Sequence, residues 1–311
     1  AADYRARHTA AETARDERVA KRLELLLRVH DRGWHASYLK GDGTLSLCSD
    51  APAEAILYRY LERDRRLVPE RVNSLGRTPL RAISLPMGSW LILLQAEERP
   101  PVRYPVWIGR EHVWDGIRPG EASTTPIALP TSDELGTDDL YIPAGWFWCG
   151  GDPEANNSLP RQRLWVDGFV MRRFPVTNRE YLEFLNDLVA RGQTNEAMRW
   201  VPRERASAGG GPGRPIYGQD GAGHFHLQPD NEGDVWRPGQ PVTMVSWFCA
   251  MAYADWMRER TGLPWRLPQD LEWEKAARGV DGRRCPWAVS YTHLRAHETK
   301  ANLVCRLLLE K

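Results

Sequence analysis

The chain has 311 residues, with Lys+Arg 42 against Asp+Glu 41 for a formal net charge of +1, and is 42% hydrophobic and 27% charged. This length fits about two domains, the charge balance gives no support for nucleic acid or an anionic membrane as overall partner, and no apolar run approaches the ~20 residues that span a bilayer. Five scattered cysteines without a CxxC (Cys48, Cys149, Cys249, Cys285, Cys305) indicate reduced thiols and a cytoplasmic setting rather than a disulfide framework.

The chain opens on Ala1 rather than Met, which points to a fragment or a processed chain, and no signal peptide is evident. Residues 1–40 read as a helical linker, with Val19, Leu23, Leu26 and Leu27 at helical spacing. His8 to Ala14 ("HTAAETA") comes near an HxxxExH iron-ligand pattern, but Ala14 stands at the second histidine, so a solvated helix face is expected.

Residues 41–118 change character. "GTLSLCSD", "AEAILYRYL", "LRAISLP", "GSWLILLQA" and "RYPVWIGRE" are short apolar or alternating runs between turn residues, the pattern of a small all-β domain. The pieces "SDAPAEAILY", "SLGRTPL" and "LPMGSWLILL" resemble the PEGA domain, a small bacterial β-module. Gly76, Thr78 and Pro79 keep its Gly-x-Thr-Pro element, whereas its Pro-Glu-Gly-Ala is degraded to Pro52-Ala53-Glu54-Ala55. The resemblance implies an interaction or spacer role.

Residues 119–140 form a polar, Pro-containing linker. From Tyr141 to Trp287 the chain is dense in tryptophan, and three helices carry start and stop signals. Thr177 and Glu180 make a capping box, Val176 and Tyr181 a staple, and Tyr181, Phe184, Leu185 and Leu188 an apolar face that ends before Gly192. Ser246 caps a second helix, with Trp247, Ala250, Met251, Ala254 and Met257 as its buried stripe, Cys249 in the core and Gly262 at its end. The third, "LPQDLEWEKAARG", has Asp270 and Glu272 in its first turn and Arg278 in its last, as the helix dipole favours. Between the first and second helices lies a long loop without regular structure. Within it, Gly209–Gly213 is no P-loop, His224 and His226 read as an exposed pair, and "PDNEGD" (Pro229 to Asp234) lacks the EF-hand carboxylate pattern.

In order, "YIPAGWFWCGGD", "LPRQRLWVDGFVMRRFPVTNREYLEFLN" and "PVTMVSWFCAMAYADWMRERTGLPWRLPQDLEWEKAARGVDGRRCPW" resemble the formylglycine-generating enzyme, or sulfatase-modifying factor, family over about residues 141–287. The resemblance implies a modified C-type-lectin-like fold and the oxidation of a substrate cysteine to formylglycine with oxygen and copper held by two thiolates. It implies a structural framework of Thr177, Glu180, Ser246, Trp247, Arg266, Glu272, Trp273, Arg278 and Trp287. Gln269 stands where the family has a capping Thr, which weakens the side-chain cap, although Glu272 can still reach back. Cys285 replaces an aromatic residue, and Ala288 a glycine.

After Trp287 the family's Gly-Asn-Val-Trp-Glu-Trp-like stretch and its active-site cysteine pair do not follow. Residues 288–311 resemble a translated adapter or vector sequence, read as a non-native tail. Its His293, His297 and Glu298 fit neither a zincin nor an inverzincin. The expected fold is therefore α+β: a small all-β, PEGA-like module followed by a truncated, modified C-type-lectin-like domain with little regular secondary structure. The expected function is a fragment of a formylglycine-generating-enzyme-like protein, inactive for want of its copper-cysteine segment, with no catalytic residue assignable. No cofactor is placed in this chain; copper, and calcium as a second ion, are implied for the complete family domain. Expected partners are a polypeptide substrate or protein ligand, with no nucleic acid and no membrane span. The alternative is a non-catalytic lectin-like binding module that regulates an upstream Ser/Thr kinase, by analogy of domain order.

Overall fold

A computed structural model of the chain describes residues 1–14, 16–64, 66–152, 158–204, 213–229, 233–283, 286 and 308–310. It is a mixed helix and sheet structure that divides into two compact units, Ala1–Ala96 with Arg103–Ile127, and Glu97–Val102 with Ala128–Lys311.

The first unit begins with three helices, α1 (Ala2–Thr13), α2 (Glu17–His30) and α3 (Ala36–Lys40). Asp16 caps α2 by accepting the Val19 amide at 3.0 Å. Ala11 of α1 packs with Ala20 and Leu23 of α2, so one helical stripe of each is covered. The solvated face expected around His8 is not what forms. His8 is buried, its Nδ1 lies 2.7 Å from the Tyr38 hydroxyl, and Glu12 and Glu24 flank its two nitrogens at 3.7 Å. Arg110 joins Glu12 and Glu24 from the β-rich part of the unit. A tertiary partner for each polar group lets this helix bury them, which spacing alone does not reveal.

Seven strands follow: β1 (Asp42–Leu47), β2 (Glu54–Arg63), β3 (Arg66–Arg77), β4 (Leu80–Pro86), β5 (Gly88–Gln95), β6 (Val102–Ile108) and β7 (Val113–Trp114). They form a three-stranded sheet in the order β4-β1-β7 and a four-stranded sheet in the order β3-β2-β5-β6. The reading of five short strands within 41–118 holds for β1, β2, β4, β5 and β6. Strand β3 escaped it because it is polar and holds Pro69. As an edge strand it tolerates a residue without an amide hydrogen. Within the Gly-x-Thr-Pro element, Thr78 Oγ1 accepts the Ala53 amide at 3.0 Å and meets Ser49 Oγ at 2.6 Å.

The second unit contains β8 (Asp139–Ile142), β9 (Gly145–Cys149), β10 (Gln162–Val166), β11 (Phe169–Arg172), α4 (Asn178–Ala190), α5 (Thr194–Trp200), β12 (Tyr217–Gln219), β13 (Phe225–Leu227), α6 (Trp247–Thr261), β14 (Trp265–Arg266), α7 (Asp270–Arg278) and β15 (Leu308–Glu310). Hairpins β9-β10 and β12-β13 stand beside a sheet ordered β14-β15-β11-β8. Strand β15 comes from the stretch after Trp287 and pairs antiparallel with both neighbours. The expected long loop is interrupted by α5 and by the β12-β13 hairpin. Tyr181, Phe184, Leu185 and Leu188 of α4 are buried as expected, in one cluster with Val176, Tyr253 and Trp256. Burying each such side chain contributes roughly 1.5–3 kcal/mol before conformational entropy is counted.

Candidate functional site

The family-like framework starts at the α4 N-terminus. The Thr177 amide donates to Glu180 Oε2 at 2.8 Å, and the Glu180 amide returns a bond to Thr177 Oγ1 at 3.3 Å. Arg172 of β11 donates to the same carboxylate at 2.9 Å. Burial disfavours the Glu180 carboxylate, but the Thr177 bonds and Arg172 outweigh it, and its pKa falls below the ordinary value. The next residue, Asn178, is fully buried, giving an amide hydrogen to Arg237 O at 3.0 Å and receiving the Tyr217 hydroxyl at 2.6 Å. On the same helix, the Asn186 side chain pairs with both backbone groups of Phe225, at 3.0 and 2.7 Å. It thereby holds the β12-β13 hairpin as a neighbouring strand would.

The ends of α6 are as expected, but its buried face is not. Ser246 caps it, with its Oγ accepting the Cys249 amide at 3.2 Å, and Gly262 ends it in the left-handed region. Trp247, however, is 62% exposed, and the buried face is Cys249, Ala250, Tyr253, Ala254 and Trp256. Of the expected stripe, Ala250 and Ala254 are buried while Met251 and Met257 are half-buried. This helix is apolar nearly all round, so its periodicity cannot choose a face. Trp247 instead stacks edge-on against Phe248, centroids 5.2 Å apart, and both project into solvent. Just upstream, exposed Met244 holds a positive φ of 59°, a conformation costly for a side-chain-bearing residue. An exposed aromatic pair beside a strained backbone marks this end of α6 as a candidate recognition surface.

Around α7 the framework is ionic. Arg266 grips Glu272 with two bonds, at 2.8 and 2.6 Å, and the Gln269 amide donates to Glu272 at 2.7 Å. Gln269 makes no side-chain cap bond, so the reach-back of Glu272 is what closes this terminus, as the sequence implied. Burial works against the charge of Glu272, yet Arg266 and the Gln269 amide keep its pKa low. Trp273 lies half-exposed at 38%. Arg278 binds Glu274 and the carbonyls of Gly150 and Gly282, which ties α7 to the turn after β9. Gly150 is required in that turn: its φ is +63°, and a Cβ there would lie 2.5 Å from Leu159 O.

Sequence reasoning missed Lys275. It is 4% exposed and donates to the carbonyls of Pro143, Gly145 and Val166 at 2.7, 3.2 and 3.1 Å. Burial pulls its pKa down to about 7, with Asp167 acting the other way. A lysine between a glutamate and an Ala-Ala pair gave no warning, because its partners are backbone atoms more than 100 residues away.

The thiols occupy unrelated settings. Cys149 is buried on β9, where burial, then Glu274, pushes its pKa up, away from the reactive thiolate. Cys249 sits in the α6 core, its sulfur 3.1 Å from Ser246 Oγ. Cys48 belongs to the first unit. Among the described residues no three His, Cys, Asp or Glu side chains gather as metal ligands. The described thiols do not fit a two-thiolate copper centre. His224 and His226 are exposed at the β12-β13 hairpin, with Asp220 near His224. The greater part of "GGGPG", the centre of "PDNEGD", and Cys285, Trp287, His293, His297, Glu298 and Cys305 lie outside the described residues.

Comparison with known proteins bears on this unit. The family profile described as "Sulfatase-modifying factor enzyme 1-like domain" matches residues 127–306. The chain is 31% identical over 184 residues to a formylglycine-generating enzyme of Thermomonospora curvata, covering 53% of this chain and 57% of that one. It is 32% identical over 180 residues to a hercynine oxygenase of Mycolicibacterium smegmatis, covering 55% and 36%. It is 30% identical over 178 residues to an inactive C-alpha-formylglycine-generating enzyme 2 of Bos taurus, covering 48% and 51%. The chain thus spans about half the length of the curated relatives it matches. With the profile covering more than half of its residues, this chain belongs to the sulfatase-modifying factor enzyme 1-like domain family.

Proposed function

We propose that this chain is part of a formylglycine-generating-enzyme-like protein whose family reaction oxidises a protein cysteine to formylglycine. Its described residues supply the scaffold and a polypeptide-facing surface, and the reacting thiolates lie elsewhere in the family domain. Family membership carries this reading. The exposed Trp247–Phe248 pair supports a polypeptide ligand, since aromatic rings anchor peptide interfaces. The buried Cys149 and Cys249 support the absence of a redox-active pair in this stretch. The test is incubation of the purified chain with Cu(I), oxygen and a cysteine-containing peptide, followed by mass spectrometry. No conversion of thiol to aldehyde is expected, and turnover would overturn the reading.

A second reading rests on the similarity to an inactive relative. In it the domain is a non-catalytic, lectin-like binding module which, with the PEGA-like strands before it, tunes an upstream Ser/Thr kinase. Peptide binding that is lost in a Trp247→Ala, Phe248→Ala double variant, in a longer form of the protein that also fails to turn over, would favour it.

A further inference from the structure

The formal charge of +1 averages over the whole chain and hides a one-sided surface on α2. Its core face is Ala20, Leu23 and Leu27. On the opposite side Arg18, Arg22, Leu25 and Val29 follow at spacings of four, three and four, one stripe of a helix, with Lys21 beside Leu25. Leu25 is 65% exposed and Val29 77%. Past the helix end Trp34 is 86% exposed, and it is presented rather than frayed. The Asp31 carboxylate accepts the Gly33 amide at 3.2 Å and the His35 amide at 3.1 Å, and Gly33 takes the positive φ of +91° that this turn needs.

Three acids of this segment are already engaged. Asp16 caps the helix, Asp31 closes the turn, and Glu24 pairs with Arg28 and Arg110. Arg18, Lys21, Arg22 and Arg32 pair with no acid among the described residues. A row of cations interleaved with two aliphatic side chains and closed by a tryptophan matches an anionic, amphiphilic surface. A second copy fits badly, because parallel docking of this face on itself sets arginine against arginine and antiparallel docking sets Arg18 and Arg22 against the aliphatic Val29 and Leu25. A fixed tryptophan at the edge of the stripe suits the headgroup level of a bilayer.

We propose that the outer face of α2 and Trp34 dock on an anionic lipid surface, with Arg18, Lys21, Arg22 and Arg32 at the headgroups and Leu25, Val29 and Trp34 entering the acyl boundary. The test is co-sedimentation of the full chain with phosphatidylcholine vesicles with and without phosphatidylserine, at low and high salt. Binding is expected only with phosphatidylserine, weakened by salt. An Arg18→Glu, Lys21→Glu, Arg22→Glu variant is expected to lose on the order of a hundredfold in partitioning. Trp34→Ala is expected to weaken binding while leaving the thermal melt unchanged, since the side chain is largely exposed. Equal binding to neutral vesicles, an unaffected charge-reversed variant that keeps the wild-type melt, or no vesicle binding would overturn the proposal. Self-association, or capture of soluble polyglutamate, in place of vesicle binding would assign the face to a protein partner instead.

Discussion

Lys275 shows what one residue can impose. Its ammonium satisfies three backbone carbonyls from both strands of a hairpin and the approach to it. Burial brings its pKa down to about 7, whereas in the unfolded chain it titrates near 10.4. Between those limits the unfolded state binds more protons, so stability rises with pH, by at most about 1.4 kcal/mol per unit. Above about pH 10 the trend reverses. Burial raises the phenols of Tyr217 and Tyr253, so the folded chain keeps protons that the unfolded one releases. Urea midpoints against pH should climb from about 7 to 10 and then fall. Lys275→Met should lower the unfolding free energy throughout, by about 3 kcal/mol for three orphaned carbonyls, and abolish the climb in the midpoint. A climb that persists in the variant would refute this account.

At the scale of elements, legibility followed local chemistry. The α4 cap, its four buried residues, and both ends of α6 and α7 were readable because each signal lies within one or two turns of sequence. The buried face of α6 was not, because alanine, methionine and aromatics surround that helix. Strand β3 and the β12-β13 hairpin were not, because their reasons lie in partners: an edge position for the first, the Asn186 amide for the second. Asn186→Ala should therefore cost about 1–3 kcal/mol by leaving the Phe225 amide and carbonyl without their partner. Hydrogen exchange should quicken across Tyr217–Leu227 while the centre of α4 stays protected. Uniform quickening across both would show that the contact is part of the global core instead.

For the molecule as a whole, family was legible and reactive centre was not. Motif order pointed to the family that the profile match then showed, and of the framework residues Thr177, Glu180, Ser246, Arg266, Glu272 and Arg278 make capping bonds and ion pairs. The buried charge cluster around His8 was invisible for the same reason as Lys275: its members, on three helices and at Arg110, meet only after folding. The surface also has a cost. Trp247 and Phe248 add exposed apolar area that invites association. A Trp247→Ser, Phe248→Ser variant should stay monomeric at higher concentration by light scattering while its melting temperature shifts little. A lower melting temperature would mean that the pair supports the fold itself.

The three-carbonyl cradle of Lys275 also sets a timetable for the nascent chain. The β9-β10 hairpin is complete at Val166, yet the residue that closes it follows 109 positions later. At about 5–20 residues per second on the ribosome, the hairpin waits roughly 5–22 s with those oxygens turned to water. During that interval it has its own backbone ladder and its tryptophan and arginine contacts, and the arrival of α7 converts a provisional ribbon into a fixed wall.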